Sequence, residues 1–353
     1  MIAVVGATGF TGRLVVAELA DRGVAVRLVG RNRARLMEVA EAGDGDVRAV
    51  SGWRREDLAA ALEGCAAVVS CAGPFIEAGR PVVEAAIDAR VPYTDSTGEQ
   101  AFIREVYERF DAPAHAAGVA LAPAFGFDFV PGDLAAEIAA EGLGPLARVD
   151  VVYAVEGAES SVGTRRSAVG ILAHPGYQRI DGALRAEVVG ARRLTVATQF
   201  GRRTGGSIPG GEPLMLPRHL QVGTVVGYMA LPGRLSPAHR LARLLPLAAR
   251  LPGASALLMQ GAARGSAGPA GAARAAQVAC VVQATALDGR RRAVRVEGRD
   301  AYGFTARSLA ELAVRMRDGQ VDAAGARSPA ELVEARSFLT ATGMTVVEIE
   351  PED

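Results

Sequence analysis

Ile2-Ala3-Val4-Val5-Gly6-Ala7-Thr8-Gly9-Phe10-Thr11-Gly12 is the stretch on which the reading of the whole chain rests. Four apolar residues, most of them β-branched, read as a buried strand, and a glycine-punctuated turn follows at once. Leu14, Val15, Ala17, Leu19 and Ala20 then recur at the three-to-four spacing of a helix laid on a sheet. Strand, glycine turn and helix form the context in which a glycine pattern binds a dinucleotide. Gly6 permits the tight turn, Gly9 leaves room for a pyrophosphate, and Gly12 lets the helix sit close to the strand. Ala7, Thr8, Phe10 and Thr11 complete the loop, whose free N–H groups and positive helix end face the phosphates. The spacing is G-x-x-G-x-x-G, so the expected ligand comes from context as much as from pattern.

Outward from that turn, strands and helices alternate. Val24 to Val29 reads as a second parallel strand ending in Gly30-Arg31-Asn32-Arg33. A domain that prefers NAD places an acidic residue here for the ribose 2′-hydroxyl. None is present, and Arg31 and Arg33 offer fork-shaped donors suited to a 2′-phosphate, with Asn32 between them. The expected cofactor is therefore NADP(H). Further strands are read at 46–50, 66–70, 91–95 and 119–124, with helices between them. Their carboxyl ends, where ligands of parallel sheets lie, carry Ala72-Gly73-Pro74-Phe75, Gly98-Glu99 and Gly126-Phe127 as further cofactor candidates. The alternation specifies an α/β fold with a doubly wound, Rossmann-type parallel sheet.

Near residue 148 the pattern changes to alternating strands joined by glycine-rich connections, read as a second α+β domain. The expected organisation is an NADP-binding domain over 1–145, completed by a returning segment 325–353, and a substrate or lid domain over 146–324. Gly201–Gly211 and Gly261–Ala272 are taken as loops. The stretch 236–259 mixes leucines with Arg240, Arg243 and Arg250, and reads as surface helices, an apolar lid or a peripheral lipid contact.

Bulk composition narrows the function classes. Acidic and basic residues balance at 39 each, so no global field favours nucleic acid. Every basic residue is arginine, which removes Schiff-base chemistry, the Tyr-x-x-x-Lys relay of short-chain dehydrogenases and the lysine of a phosphate-loop hydrolase. Cys65, Cys71 and Cys280 have no metal-ligand spacing, so no metal site is expected, and they suit a reducing cytoplasm. No run of about 20 apolar residues is present to span a membrane, and with a strand beginning at residue 2 no leader peptide is expected.

Together, Gly6–Gly12, Gly30-Arg31, Cys71-Ala72-Gly73-Pro74-Phe75, Tyr93-Thr94-Asp95-Ser96-Thr97-Gly98-Glu99 and Gly126-Phe127-Asp128-Phe129-Val130-Pro131-Gly132-Asp133 resemble the saccharopine dehydrogenase-like oxidoreductases. The likeness is greatest to the bacterial branch that includes trans-acting enoyl reductases. Ser161-Val162-Gly163-Thr164 and Tyr302-Gly303-Phe304-Thr305-Ala306 are weaker echoes. The resemblance implies an NADP-binding domain followed by a substrate domain, acting on C=C or C–N bonds.

Hydride transfer requires a polarised acceptor and a proton donor. Asp95 and Asp128 lie on strand-end loops and are candidates, with Tyr93 dependent on strand register and His174 in the second domain. Asp95 also reads as a turn and capping residue, and Glu99 and Asp133 as helix-start residues. Ser161, Thr164 and Arg165 offer an anion site or simple capping, while His115, His219 and His239 stand outside any motif. Three readings remain open: reduction of an activated C=C bond in an acyl or polyketide intermediate, free or carrier-bound; C–N oxidoreduction; and non-catalytic NADP binding or lipid association. A homodimer is possible under each.

Overall fold

The computed structural model describes residues 1–41, 45–157, 176–230 and 276–352. His174, Ser161, Thr164, Arg165, His239, the 236–259 stretch and the Gly261–Ala272 connection lie outside the described residues.

In the first part of the chain β1 (Ile2–Val5), α1 (Phe10–Asp21), β2 (Val26–Gly30), α2 (Arg33–Ala40), β3 (Asp46–Ala49), α3 (Arg55–Leu62), β4 (Ala67–Ser70), α4 (Phe75–Asp88) and β5 (Tyr93–Asp95) follow the expected alternation. β5 is followed by α5 (Gln100–Glu105), a π-helical turn at Val106–Phe110, and α6 (Asp111–Ala117). After it come β6 (Ala120–Ala122), α7 (Val130–Ala140), β7 (Leu146–Glu156), β8 (Gly176–Ile180), β9 (Ala183–Glu187), β10 (Arg193–Thr198) and β11 (Gly201–Ser207). The chain continues through α8 (Glu212–Met215), β12 (Val222–Ala230), β13 (Gln277–Ala286), β14 (Arg291–Arg299), α9 (Ala301–Arg317), β15 (Gly325–Ala326), α10 (Ala335–Ala341) and β16 (Thr345–Ile349).

The chain divides into two units, one of residues 1–127 with 302–327 and the other of 128–301 with 328–353. The first is built on a sheet of order β15-β6-β5-β4-β1-β2-β3. Its pairings are parallel throughout, so every strand delivers its following loop to the same edge. The β-branched residues of β1 and β4 are buried on both faces, which is why these strands read as continuous apolar runs. The strand order reverses between β1 and β4, the point at which such parallel sheets bind ligands.

The second unit holds a nine-stranded mixed sheet with the path β10-β11-β12-β7-β13-β14-β16, and β8 and β9 branch from β12. Three expectations are corrected here. Gly201–Ser207 is a strand, not a loop, because β10 and β12 flank it and supply both ladders. Gly205 is small for a reason, since a Cβ there would stand 3.0 Å from Tyr228 Cβ and 3.3 Å from Val152 Cγ1. The chain does return to the first unit, but over 302–327, so that of the expected 325–353 only 325–327 belongs there. From Ser328 onward it belongs to the second unit, where β16 pairs antiparallel with β14. The boundary falls at Phe127 instead of 145, because α7 packs on the second sheet, where Gly132 lies against Val151 and Tyr153 of β7.

Candidate functional site

In the first unit the glycine turn is built as its spacing requires. Gly6 has φ +80°, a conformation that costs a side-chain-bearing residue about 1–2 kcal/mol. A Cβ on Gly6 would meet the backbone of Cys71 and Ala72 at 2.9 Å, so the turn after β1 and the turn after β4 touch. A Cβ on Gly12 would stand 2.3 Å from the Gly6 carbonyl oxygen, which is how α1 comes so close to β1. Gly9 is exposed and forms the N-cap of α1 without a side chain to cap it. The first-turn N–H groups of α1 therefore meet no side chain of their own cap, and their dipole end points at the edge where a pyrophosphate would lie. The Phe10 ring meets Tyr302 of α9 edge-to-face at 5.0 Å.

At the end of β2, Arg31, Asn32 and Arg33 are all exposed. Asn32 caps α2, its side-chain oxygen accepting the Arg35 N–H at 3.1 Å. The Arg31 guanidinium lies 5.1 Å from the centre of the Trp53 ring. Trp53, the chain's one tryptophan, is half-buried against the core of this unit. A cationic fork and an indole face side by side fit the phosphorylated ribose and the adenine of a dinucleotide.

Asp95 occupies a different position from that of a free acid. It is fully buried, with Oδ1 accepting the Thr97 and Ala124 N–H groups, each at 2.8 Å, and Oδ2 accepting the Tyr93 hydroxyl at 2.6 Å. Phe125 N–H also donates to the Asp95 carbonyl at 2.7 Å. Asp95 thus joins the turn after β6 to the end of β5, and helps hold Ala124 at φ +60°. Burial pushes its carboxyl up to about 6 against these three donors. Burial and the adjacent Asp95 also push the Tyr93 hydroxyl upward. Structure therefore brings Tyr93 and Asp95 together as a bracing pair.

Glu99 plays a similar part. Its two carboxylate oxygens accept the N–H groups of Phe75 and Ile76, at 3.0 and 2.9 Å. It therefore caps α4 from across the edge, and Ala72-Gly73-Pro74-Phe75 is held by a carboxylate of this unit. The Phe75 ring is buried against Phe102, with centroids 5.8 Å apart, while Gly73 remains exposed. Gly98 is half-buried beside Glu99. Burial pushes the Cys71 thiol up to about 12, so it is inert at neutral pH. Gly126-Phe127 rests on α9, where Phe127 N–H donates to Thr305 Oγ1 at 3.0 Å and the Phe127 and Phe304 rings meet at 6.1 Å. Two motifs 178 positions apart in the chain are thereby one structural feature.

In the second unit Asp128 is exposed, yet the protein around it withdraws enough water to push its carboxyl up to about 6. His219, which no motif marked, lies between two carboxylates. Its Nε2 is 3.2 Å from Asp133 Oδ2 and its Nδ1 2.8 Å from Glu137 Oε2. Burial opposes its charge, but these two acids win and raise it to about 9. Asp133 in turn accepts the Ala330 N–H at 2.8 Å, so the triad ties α7 to the turns before β12 and α10. Sequence reading also passed over Glu212, a buried acid in a glycine-rich stretch; only its place among Gly210, Gly211 and Pro213 set it apart. Arg192, Arg202 and Arg203 are engaged with Glu187, Glu352 and Glu156. No cluster able to hold a metal ion occurs among the described residues. Nor is any helix among them long and apolar enough to cross a membrane.

Comparison with known proteins agrees with this geometry. Residues 6–93 match the model of an NAD(P)H-binding family. A trans-acting enoyl reductase of Mycobacterium tuberculosis is 33% identical over 140 residues, covering 38% of this chain and 34% of that protein. That of Mycobacterium ulcerans is 31% identical over 163 residues, covering 43% and 39%. The chain thus spans little more than a third of the length of these curated relatives. Among solved structures, saccharopine dehydrogenase (L-Glu forming) of Saccharomyces cerevisiae superposes with TM-score 0.67 over 99% of both chains at 12% identity. A meso-DAPDH variant of Clostridium tetani gives 0.51 over 96% and 95%, at 11% identity. At such identities the likeness is one of fold.

Proposed function

We propose that this chain is a saccharopine dehydrogenase-like, NAD(P)-binding oxidoreductase that uses NADPH to reduce an activated C=C bond of an acyl or polyketide-type intermediate, presented free or on a carrier. The observation that carries the cofactor half is the β2 end, with Arg31 over Trp53 and no carboxylate for a ribose 2′-hydroxyl. The bond is argued from the relatives named trans-acting enoyl reductase. Arg192, Arg202 and Arg203 already pair with acids of the chain, which speaks against their gripping the carboxylate of an amino-acid substrate.

A nicotinamide cofactor held here would supply a hydride for the β-carbon of the acceptor. The chain's residues do the rest. Gly6, Gly9 and Gly12 with the N-terminus of α1 would hold the pyrophosphate, and Arg31 and Trp53 the phosphorylated adenosine. Asp95 and Glu99 fix the turns after β5, β6 and β4 that surround it, so orientation costs little at the moment of reaction. The enolate formed on the acceptor must then be protonated at its α-carbon. We place the protein in the cytoplasm, where its free thiols persist. The test is NADPH consumption by the purified chain with 2-enoyl thioesters and, in parallel, with imines of amino acids. Turnover of the thioesters supports the reading; turnover of the imines alone overturns it.

A further inference from the structure

Tyr302-Gly303-Phe304-Thr305-Ala306, at the start of α9, lies far along the chain from the glycine turn yet belongs to the same unit. Two of its side chains dock on turns of the first sheet. The Thr305 hydroxyl accepts the Phe127 N–H at 3.0 Å, and a Cβ on Gly126 would stand 3.1 Å from the Thr305 methyl. These contacts fix the helix start to the turn after β6. The Tyr302 ring meets that of Phe10 with centroids 5.0 Å apart and planes at 85°. Phe10 opens α1 between Gly9 and Gly12, so the same helix start also reaches the turn after β1. In the sheet, β5 and β4 lie between β6 and β1. At roughly 4.8 Å per strand, the first turn of α9 and its side chains bridge a span of about 14 Å along the edge that carries the carboxyl ends of β4 and β5.

Arg31 follows β2, on the opposite side of β1 from β4. A dinucleotide whose pyrophosphate rests on the β1 turn and whose adenosine meets Arg31 must send its nicotinamide half toward β4 and β5. Tyr302 arrives from that side. The motif divides its two aromatic rings between different tasks. Phe304 is fully buried and packs on Phe127, which anchors the helix. Tyr302 and Phe10 are each half-buried, so part of each residue still faces solvent beside the glycine turn. Aromatic surface in that position gains when a flat ring covers it. We infer that Phe10 and Tyr302 form the wall of the cofactor site on its nicotinamide side, with the Tyr302 ring holding the nicotinamide riboside from α9. This rests on the cofactor half of the proposed function and adds a binding residue to it. The ring carries the contact, so a phenyl group serves in place of the phenol.

The test titrates two ligands against wild type, Tyr302→Ala and Tyr302→Phe. One is NADPH; the other is adenosine 2′,5′-bisphosphate, which keeps the adenine and the ribose phosphate and lacks the nicotinamide riboside. Tyr302→Ala should weaken NADPH roughly 10-fold and leave the bisphosphate unchanged. Tyr302→Phe should bind both as wild type does. The emission of bound NADPH, which reports the surroundings of the reduced nicotinamide, should move toward that of free NADPH in Tyr302→Ala and stay in place in Tyr302→Phe. A Tyr302→Ala protein with wild-type NADPH affinity, or one that loses both ligands equally, overturns the inference alone. A wild type that binds neither ligand overturns the proposed function and takes this inference with it. Should Tyr302→Ala fail to fold, Tyr302→Leu, which keeps apolar bulk against Phe10 without the ring, decides by the same ratio of affinities.

Discussion

Gly9→Ala and Gly12→Ala alter the same loop by one methyl each, and the structure predicts opposite outcomes for folding. At Gly12 the new Cβ would be 2.3 Å from the Gly6 carbonyl oxygen and 3.0 Å from Ala7 Cα, both rigid backbone. Restoring ordinary contact requires α1 to retreat by roughly 1 Å. Such overpacking costs about 1–3 kcal/mol, and the retreat carries the helix N–H groups away from the pyrophosphate. Gly9 differs, because its φ of −73° suits any residue and its Cβ would meet only the Gly6 oxygen, at 3.3 Å. Gly9→Ala should leave the thermal midpoint close to wild type. Its methyl nevertheless stands where the pyrophosphate approaches, and losing one charge-assisted hydrogen bond, about 1.5–3 kcal/mol, weakens NADPH roughly 10- to 100-fold. Calorimetric titration and thermal melts on the two variants read both quantities. A Gly9→Ala protein that binds NADPH as tightly as wild type would refute the placement of the cofactor on this turn.

Other expectations follow from single contacts. Asp95→Asn replaces an acceptor with a donor beside the Tyr93 hydroxyl or the backbone N–H pair, so the melting temperature should fall by the equivalent of about 1–3 kcal/mol while NADPH affinity changes little; a large loss of turnover at unchanged stability would instead mark Asp95 as catalytic. His219 is raised from 6.5 to about 9, so its stabilisation is complete below pH 6.5 and disappears as pH rises through 9. Thermal melts across that window should decline, by on the order of 2–3 kcal/mol, and His219→Gln should flatten the decline; an unchanged slope would contradict the triad's role.

Much of the first unit was legible because its information is local. A βα repeat writes its strands as β-branched runs and its turns as glycines, and Gly6, Gly9 and Gly12 each answer one steric demand. What was not legible depends on distant partners. Gly201–Ser207 has the composition of a loop, and its strand character comes from β10 and β12 on either side. The sequence of α7 continues the βα rhythm, and only Gly132 against Tyr153 shows that it serves the other sheet. Asp95 and Glu99 were readable as acids at strand ends, but their hydrogen-bond partners come from separate turns, which sequence spacing does not reveal. His219 and Glu212 gave no signal, since Asp133, Glu137 and Tyr153 reach them only through the fold.

The proposed function requires this fold to bind NADPH at the β1 turn and to read its 2′-phosphate at Arg31. Trp53, the one tryptophan in the chain, lies beside Arg31 and reports on that spot, so its fluorescence can be titrated with NADPH and with NADH in wild type and Arg31→Ala. The account predicts quenching by NADPH at concentrations at least about tenfold below those needed for NADH, with the preference erased by Arg31→Ala. No quenching and no calorimetric heat with either nucleotide, or a preference for NADH, would contradict it.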